Sequence, residues 1–170
     1  MVSILLNTEI NITTVNSQYK EKLISTAEKE TTKYHKLLDS HHYYLNEKNQ
    51  RINNIKVLND NIDNGPIKVD PIIIDALSEA IKLTKLTKGY FNISLGDLSS
   101  LYSDKLLPYD SYNEDPKQED IKQKVQGIIK ADDLEKCIII NKEKNEVELK
   151  SLNYSYTLDS GAFSKGYILD

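Results

Sequence analysis

A carboxylate, a run of small residues and a lysine stand together in Leu158-Asp159-Ser160-Gly161-Ala162-Phe163-Ser164-Lys165-Gly166-Tyr167. The pattern reads as a strand running straight into a glycine-marked helix start, with Asp159 at the junction. Ser160, Gly161 and Ala162 let a ligand approach the backbone, and the free N–H groups of a first helical turn attract anions. Asp159 supplies an acceptor and Lys165 a cation, so the stretch suits the holding of a phosphate-bearing ligand. The plainer reading is an ordinary strand-turn-helix corner, with Asp159 as N-cap and Lys165 facing solvent.

Two further clusters have the residue types for chemistry. Tyr90-Phe91-Asn92 sets an aromatic pair that can sandwich a planar ring beside an amide; its commoner fate is a hydrophobic plug beneath a helix end. His41 and His42 invite a metal, but they are adjacent and lack a carboxylate or thiol at ligand spacing, so they read as loop residues. The single Cys137 cannot form an internal disulfide, and its apolar surroundings predict a buried, inert thiol.

The elements that must position these residues follow from periodicity. Glu9 to Asn16 alternates polar residues with Ile10, Ile12 and Val15 and predicts a strand. From Gln18 to Leu38, Leu23, Ala27, Tyr34, Leu37 and Leu38 recur at helical spacing and predict one buried stripe. The stretch from His41 to Asn64 is rich in Asn and Asp and predicts a long loop with at most a short helical turn, a place where function often sits. Asp70 and Pro71 open a helix whose inner face holds Ile73, Ile74, Leu77, Ala80, Ile81 and Thr84, with Gly89 ending it.

A mixed loop is expected over Asn92 to Leu107, and polar turns over Pro108 to Pro116. A surface helix is expected over Lys117 to Lys130. Cys137-Ile138-Ile139-Ile140 and Glu146-Val147-Glu148-Leu149 predict a hairpin across Asn141 to Asn145, and Tyr154 to Leu158 a last strand. The fold class expected is α+β: helices packed on a mainly antiparallel sheet, in one domain over residues 1–170.

Composition bounds the rest. The chain has 170 residues, 39% of them hydrophobic, enough for one core. With 26 acidic against 22 basic residues it carries no basic footprint for nucleic acid. Met1 to Leu6 lacks the basic start, long apolar stretch and cleavage site of a signal peptide, and no apolar run approaches membrane-spanning length. The chain by itself is expected to be soluble, and its compartment is left open.

The ten residues from Leu158 to Tyr167 resemble the Asp-x-Gly-Ala-x-x-Lys-Gly-Tyr signature of the ApbE family, the magnesium-dependent FAD:protein FMN transferases. Upstream segments resemble the family in the same order: Tyr34 to Asp39 with Ile52 to Asp60, Gly65 to Asp70 with Ile72 to Leu77, and Thr87 to Gly96 against its Gly-x-x-Asp-Ile-x-x-Gly loop. The resemblance runs from about Leu6 onward. It spans about the first half of a family member, which implies a T-fold-related fold truncated at its C-terminus.

The resemblance implies that FMN passes from FAD to a threonine hydroxyl of an acceptor flavoprotein, releasing AMP, with Mg2+ as the metal. It makes Asp159 a flavin-contacting carboxylate, lets Ala162 offer its main-chain carbonyl to magnesium, and turns Lys165 toward FAD. Tyr90, Phe91 and Asn92 fall in the loop that packs along the cofactor, Asn92 standing where relatives often have Asp. His41 falls where a tyrosine stacks on the flavin, with Tyr43 and Tyr44 as alternatives, and Leu6 matches an entry residue of the cofactor site. The family's Asp-x-x-Ser/Thr metal motif lies farther along than Asp170.

That absence keeps two alternatives open, a magnesium-dependent FAD pyrophosphatase in which water attacks and a non-catalytic flavin-binding remnant. Many relatives are exported lipoproteins, and both monomer and homodimer stay open. Asp159→Ala is expected to weaken FAD binding, and a surface change such as Lys124→Ala is not.

Overall fold

Asp70 accepts a hydrogen bond from the Ile72 N–H at 3.0 Å, and Pro71 fills the first helical position, where its missing N–H costs nothing. The helix they start, α3 (Pro71–Leu86), buries Ile73, Ile74, Ala76, Leu77, Ala80, Ile81 and Thr84 along one face. Each large aliphatic side chain buried there contributes about 1.5–3 kcal/mol. The helix ends as expected at a left-handed glycine: Gly89, at φ +88°, donates its N–H to the Thr84 carbonyl.

The computed structural model describes residues 2–5, 8–11, 17–106 and 115–169. Strands β1 (Val2–Leu5) and β2 (Thr8–Asn11) pair antiparallel, with Val2 opposite Asn11. The second half of the strand expected over Glu9 to Asn16 and the turns expected over Pro108 to Pro116 lie largely outside the described residues. Helix α1 (Lys20–Leu38) follows a short 3-10 turn and buries Thr31, Leu37 and Leu38. Its stripe is shorter than expected, because Leu23 is 49% exposed and only the C-terminal half reaches the core.

The predicted loop after α1 contains one short helix, α2 (Ile55–Asn59), capped by the Asn54 side chain on the Val57 N–H. Strand β3 (Ile67–Lys68) precedes α3, and β4 (Ile138–Asn141) and β5 (Glu146–Leu149) form the predicted hairpin. The sheet order is β3-β5-β4, antiparallel throughout, with Ile138 opposite Leu149 and Ile140 opposite Val147. One core joins Leu38, Ile55, Leu58, Ile73, Leu77, Ile93, Val147, Leu149 and Leu158.

Four expectations are corrected. The mixed loop over Asn92 to Leu107 is largely a helix, α4 (Gly96–Leu106). Its Gly, Asp and Ser residues are weak helix formers, and what stabilises it is tertiary: the Gly96 N–H donates to the Thr157 carbonyl at 3.0 Å, and Asp97 accepts from both Thr157 and Lys124. Cys137 ends a short helix, α6 (Leu134–Cys137), instead of opening β4; it is buried as expected, and burial pushes its thiol pKa up.

Tyr154 to Leu158 forms no ladder strand. An asparagine side chain takes the place of a neighbouring strand there: Asn59 accepts from the Leu158 N–H at 2.8 Å and donates to the Leu158 carbonyl at 2.9 Å. The predicted surface helix is α5 (Gln118–Gly127), shorter than expected at its C-terminal end. It stops where Gly127 meets the same segment, and a Cβ on Gly127 would lie 2.1 Å from the Ser155 carbonyl oxygen. Gly127→Ala is therefore expected to destabilise the fold by about 1–3 kcal/mol through overpacking against backbone, read as a lower midpoint in urea unfolding. An unchanged midpoint would refute this close approach.

Among the described residues no helix is long and apolar enough to cross a membrane.

Candidate functional site

The segment that carries the signature is fixed from two sides. The Asp159 N–H donates to the Ile93 carbonyl at 2.8 Å, and the Ser160 hydroxyl donates to the Leu38 carbonyl at the end of α1. The Asp159 carboxylate is itself held: Oδ1 accepts from the Gly161 N–H at 2.8 Å and Oδ2 from the Ser99 hydroxyl of α4 at 2.6 Å. The last described helix, α7 (Ser164–Leu169), starts only after a turn at Gly161 to Phe163. The expected junction is thus not strand-to-helix, and three of its N–H groups are already used. Those of Phe163 and Ser164 both donate to the Ser160 carbonyl, and that of Gly161 goes to Asp159. Lys165, exposed and 3.4 Å from the Gly161 carbonyl, is the cation that remains beside the turn.

Asp159, Ser160, Gly161, Ser164 and Lys165 form one wall of a cavity of about 540 Å3, a size usual for small-molecule sites. The opposite wall is the start of the long loop, from Asp39 through Ser40, His41, His42 and Tyr43 to Tyr44, backed by His35 and Leu38 of α1. Two segments more than a hundred residues apart therefore bring His41, Asp159 and Lys165 to the same space. A smaller cavity of about 210 Å3 shares Ser40 and His41 and is lined beyond them by Lys56, Asn59, Asp60, Asp97 and Thr157.

Asp39 organises the loop wall. Its side chain is only 8% exposed, and its two oxygens accept from the His41 N–H at 2.6 Å, the His42 N–H at 3.0 Å, the Tyr44 hydroxyl at 2.6 Å and His42 Nδ1 at 3.0 Å. Burial pushes the Asp39 carboxyl up, but the hydrogen bonds from Tyr44, His41 and His42 outweigh it and hold the group below the ordinary carboxylate range. The signal in the sequence was an Asp at a helix end two and three residues before a pair whose N–H groups it turns back to accept, an Asx turn. Buried Asn54 adds a second staple, donating to the Lys36 and His42 carbonyls.

Burial, followed by the bond to Asp39, pushes the Tyr44 phenol up to about 12. A raised phenol pKa favours the protonated folded form: this contribution to stability is complete below pH ~10, the ordinary tyrosine value, and is lost as pH rises toward about 12. Tyr44→Phe is expected to remove one late component from an ultraviolet titration of the tyrosines. If the late absorbance persists in full, the buried phenol has been misplaced.

The two tyrosine alternatives to His41 are both engaged. Tyr44 packs edge-on against His35, and the Arg51 guanidinium lies 4.3 Å from the centre of the Tyr43 ring, whose hydroxyl donates to Asp60. His41 is exposed and lines both cavities.

Tyr90, Phe91 and Asn92 do not line the cavity that Asp159 and His41 share. Tyr90 is 96% exposed. Phe91 packs edge-on against Phe163, which meets Tyr167, so this aromatic row supports α7. Asn92 is buried with its amide donating to the Ile129 carbonyl and its oxygen accepting from the Ser94 N–H and hydroxyl. Ala162 is exposed on the turn. Leu6 lies outside the described residues. Lys124, expected at the surface, pairs there with Asp97 at 3.1 Å.

A hard divalent cation such as magnesium requires a near-octahedral shell of oxygens. Among the described residues no three metal-binding side chains converge, and Ala162 can bring only a carbonyl. The described residues do not by themselves form that shell.

The sequence profile described as the ApbE family matches residues 6–170. Among solved structures, the ApbE protein of Thermotoga maritima MSB8 is similar with a TM-score of 0.68 at 18% sequence identity, the match covering 100% of this chain and 49% of that one. The chain thus spans about half the length of this solved structure. No curated protein matches.

Proposed function

Because the chain belongs to the ApbE family, we propose that it forms the FAD-holding part of a flavin transferase, which moves FMN from FAD to a threonine hydroxyl of an acceptor protein and releases AMP. The observation that carries this reading is the cavity in which Asp159, Lys165 and His41 meet. Lys165 supplies the positive charge that a pyrophosphate calls for, and Asp159, locked by Gly161 and Ser99, supplies an oriented acceptor for a donor on the ligand. His41 brings a planar ring to the opposite wall, where it can stack on a flavin.

Phosphoryl transfer of this kind needs little covalent chemistry from the protein. Positioning the attacking oxygen in line with the leaving one and neutralising charge account for most of the acceleration. The chain's own contribution is to bind and orient FAD between the loop after α1 and the turn before α7. Magnesium belongs to the proposal as the partner of the pyrophosphate, and no step assigned to these residues runs through it.

The test is titration of the purified chain with FAD, with and without MgCl2, following flavin fluorescence and AMP release in one sample. Binding with AMP release, increased by a threonine-bearing acceptor, supports the transferase. Release that ignores the acceptor identifies a pyrophosphatase, and the absence of binding by a folded chain sinks the reading.

A further inference from the structure

Of the chain's six glycines only Gly65 follows an asparagine. In an Asn-Gly pair the glycine nitrogen easily reaches the side-chain amide before it, because no Cβ crowds the approach and the glycine backbone turns freely. Whether the pair reacts in a folded protein depends on how firmly the fold holds it.

Here it is held loosely. Asn64 is exposed at the end of the turn that follows α2. Its own N–H donates to the Asn61 carbonyl at 3.1 Å, but among the described residues neither its side-chain amide nor the Gly65 N–H has a hydrogen-bond partner. A Cβ on Gly65 would meet nothing within 4 Å, so no other segment crowds this side of the turn. Gly65 stands at φ +90°, where a side chain would be strained, which keeps a glycine in this position. Two neighbouring asparagines are the contrast. Asn59 and Asn61 donate their side-chain amides to the Leu158 and Val57 carbonyls at 2.9 and 2.8 Å, and neither precedes a glycine.

The pair also lies between two fixed points. On one side the Asp63 N–H donates to the Leu149 carbonyl at 2.8 Å, and the Asp63 carboxylate accepts from the Ser151 N–H at 2.9 Å. On the other, Ile67 of β3 pairs with Val147 of β5. Between them lie only Asn64, Gly65 and Pro66, whose ring fixes its own φ. A change in the length of the backbone here must be absorbed by very few torsions.

We propose that Asn64-Gly65 is a self-modification site, where Asn64 converts to aspartate and isoaspartate in the folded chain, and that the isoaspartyl form loosens the pairing of β3 with β5. The Gly65 nitrogen gives its proton to solvent and bonds to the side-chain carbonyl carbon of Asn64. The carbon–nitrogen bond of the side-chain amide breaks, and ammonia leaves. Water then opens the cyclic imide at either carbonyl. One opening gives an ordinary aspartate at position 64; the other routes the main chain through the former side chain and adds one backbone atom. Both add a negative charge beside Asp63. The site is separate from the proposed flavin cavity and independent of its function.

The test ages the purified chain in mildly alkaline buffer beside a free peptide with the sequence from Val57 to Lys68. Trypsin cuts the aged chain after Lys56 and Lys68, so Asn59, Asn61 and Asn64 are read in one fragment, and tandem mass spectrometry places the mass gain. The gain is expected at Asn64, at a rate within about tenfold of the free peptide, because a surface turn without side-chain ties opens at little cost. A slower rate, or a gain at Asn59 or Asn61 as large as that at Asn64, overturns the site.

Asn64→Asp carries the charge without the added backbone atom, and Asn64→Gln resists the reaction. The isoaspartyl fraction of the aged parent is expected to unfold at a lower urea midpoint than Asn64→Asp, and Asn64→Gln to keep its midpoint through the same ageing. An isoaspartyl fraction with the midpoint of Asn64→Asp overturns the loosening of β3. Ageing that lowers the Asn64→Gln midpoint as much as the parent's overturns Asn64 as its cause.

Discussion

Asp159→Ala is expected to weaken FAD binding by about 10- to 100-fold, because a hydrogen bond to a charged group contributes about 1.5–3 kcal/mol and each 1.4 kcal/mol is tenfold. Two effects add in the same direction. The ligand loses an oriented acceptor on the cavity wall. The wall itself also loses its ties, since the Gly161 N–H and the Ser99 hydroxyl both end on that carboxylate. Asp159→Asn separates them: its amide oxygen can still take the Gly161 N–H, so the turn is kept while the charge is gone, and its affinity should fall between parent and alanine. The proper control is Lys122→Ala, on the exposed face of α5, because Lys124 is tied to Asp97 and through it to Thr157, next to the signature. Fluorescence titration with FAD, alongside a melting curve for each variant, decides the matter. An Asp159→Ala chain that melts like the parent and binds FAD equally well would remove Asp159 from the site.

How much of this was legible in the sequence depends on whether the cause was local. Helix α3 was read to its cap because Asp70, Pro71 and the isoleucine and leucine spacing each act within a few residues. The β4–β5 hairpin was legible for the same reason. Helix α4 was hidden, since Gly96, Asp97, Ser99 and Ser100 carry poor helix propensity and the stabilising partners, Thr157 and Lys124, come from distant segments. The strand expected before Asp159 failed for a related reason: its residues have the right pattern, but the partner that satisfies its backbone is an asparagine side chain and not another strand.

The site divides along the same line. Asp159, Lys165 and His41 were singled out by residue type and motif, and they face one cavity. Asp39 was read only as the end of a family-like segment and His42 only as a loop residue, because what Asp39 does lies in a hydrogen-bond geometry that spacing alone does not encode: one carboxylate serves two backbone groups and two side chains at once. Asn92 shows the converse. Its place in a motif drew attention, yet its amide is fully used in joining the loop after α3 to Ile129 and Ser94.

Asn59→Ala should be among the most destabilising single changes in the chain, by about 2–4 kcal/mol. Asn59 sits at the end of α2 and makes both ladder-like hydrogen bonds to Leu158, whose side chain is completely buried. Alanine leaves the half-buried Leu158 N–H and carbonyl without these partners, and each group left unsatisfied costs about 1–3 kcal/mol. Asn59→Asp distinguishes the two bonds. A carboxylate can still accept from the Leu158 N–H but cannot donate to its carbonyl, which it would instead repel, so it recovers at most part of the loss. The consequence for function is direct, because Leu158 immediately precedes Asp159: once the segment is free on the Asn59 side, Asp159 is held only by its N–H on the Ile93 carbonyl and by its carboxylate on Gly161 and Ser99. Urea unfolding measures the stability, and exchange of the Leu158 amide proton measures whether this segment opens before the rest. A loss below about 1 kcal/mol with the Leu158 amide still protected would mean that another group takes over the pairing, and that Asn59 does not link the loop wall of the cavity to the signature wall.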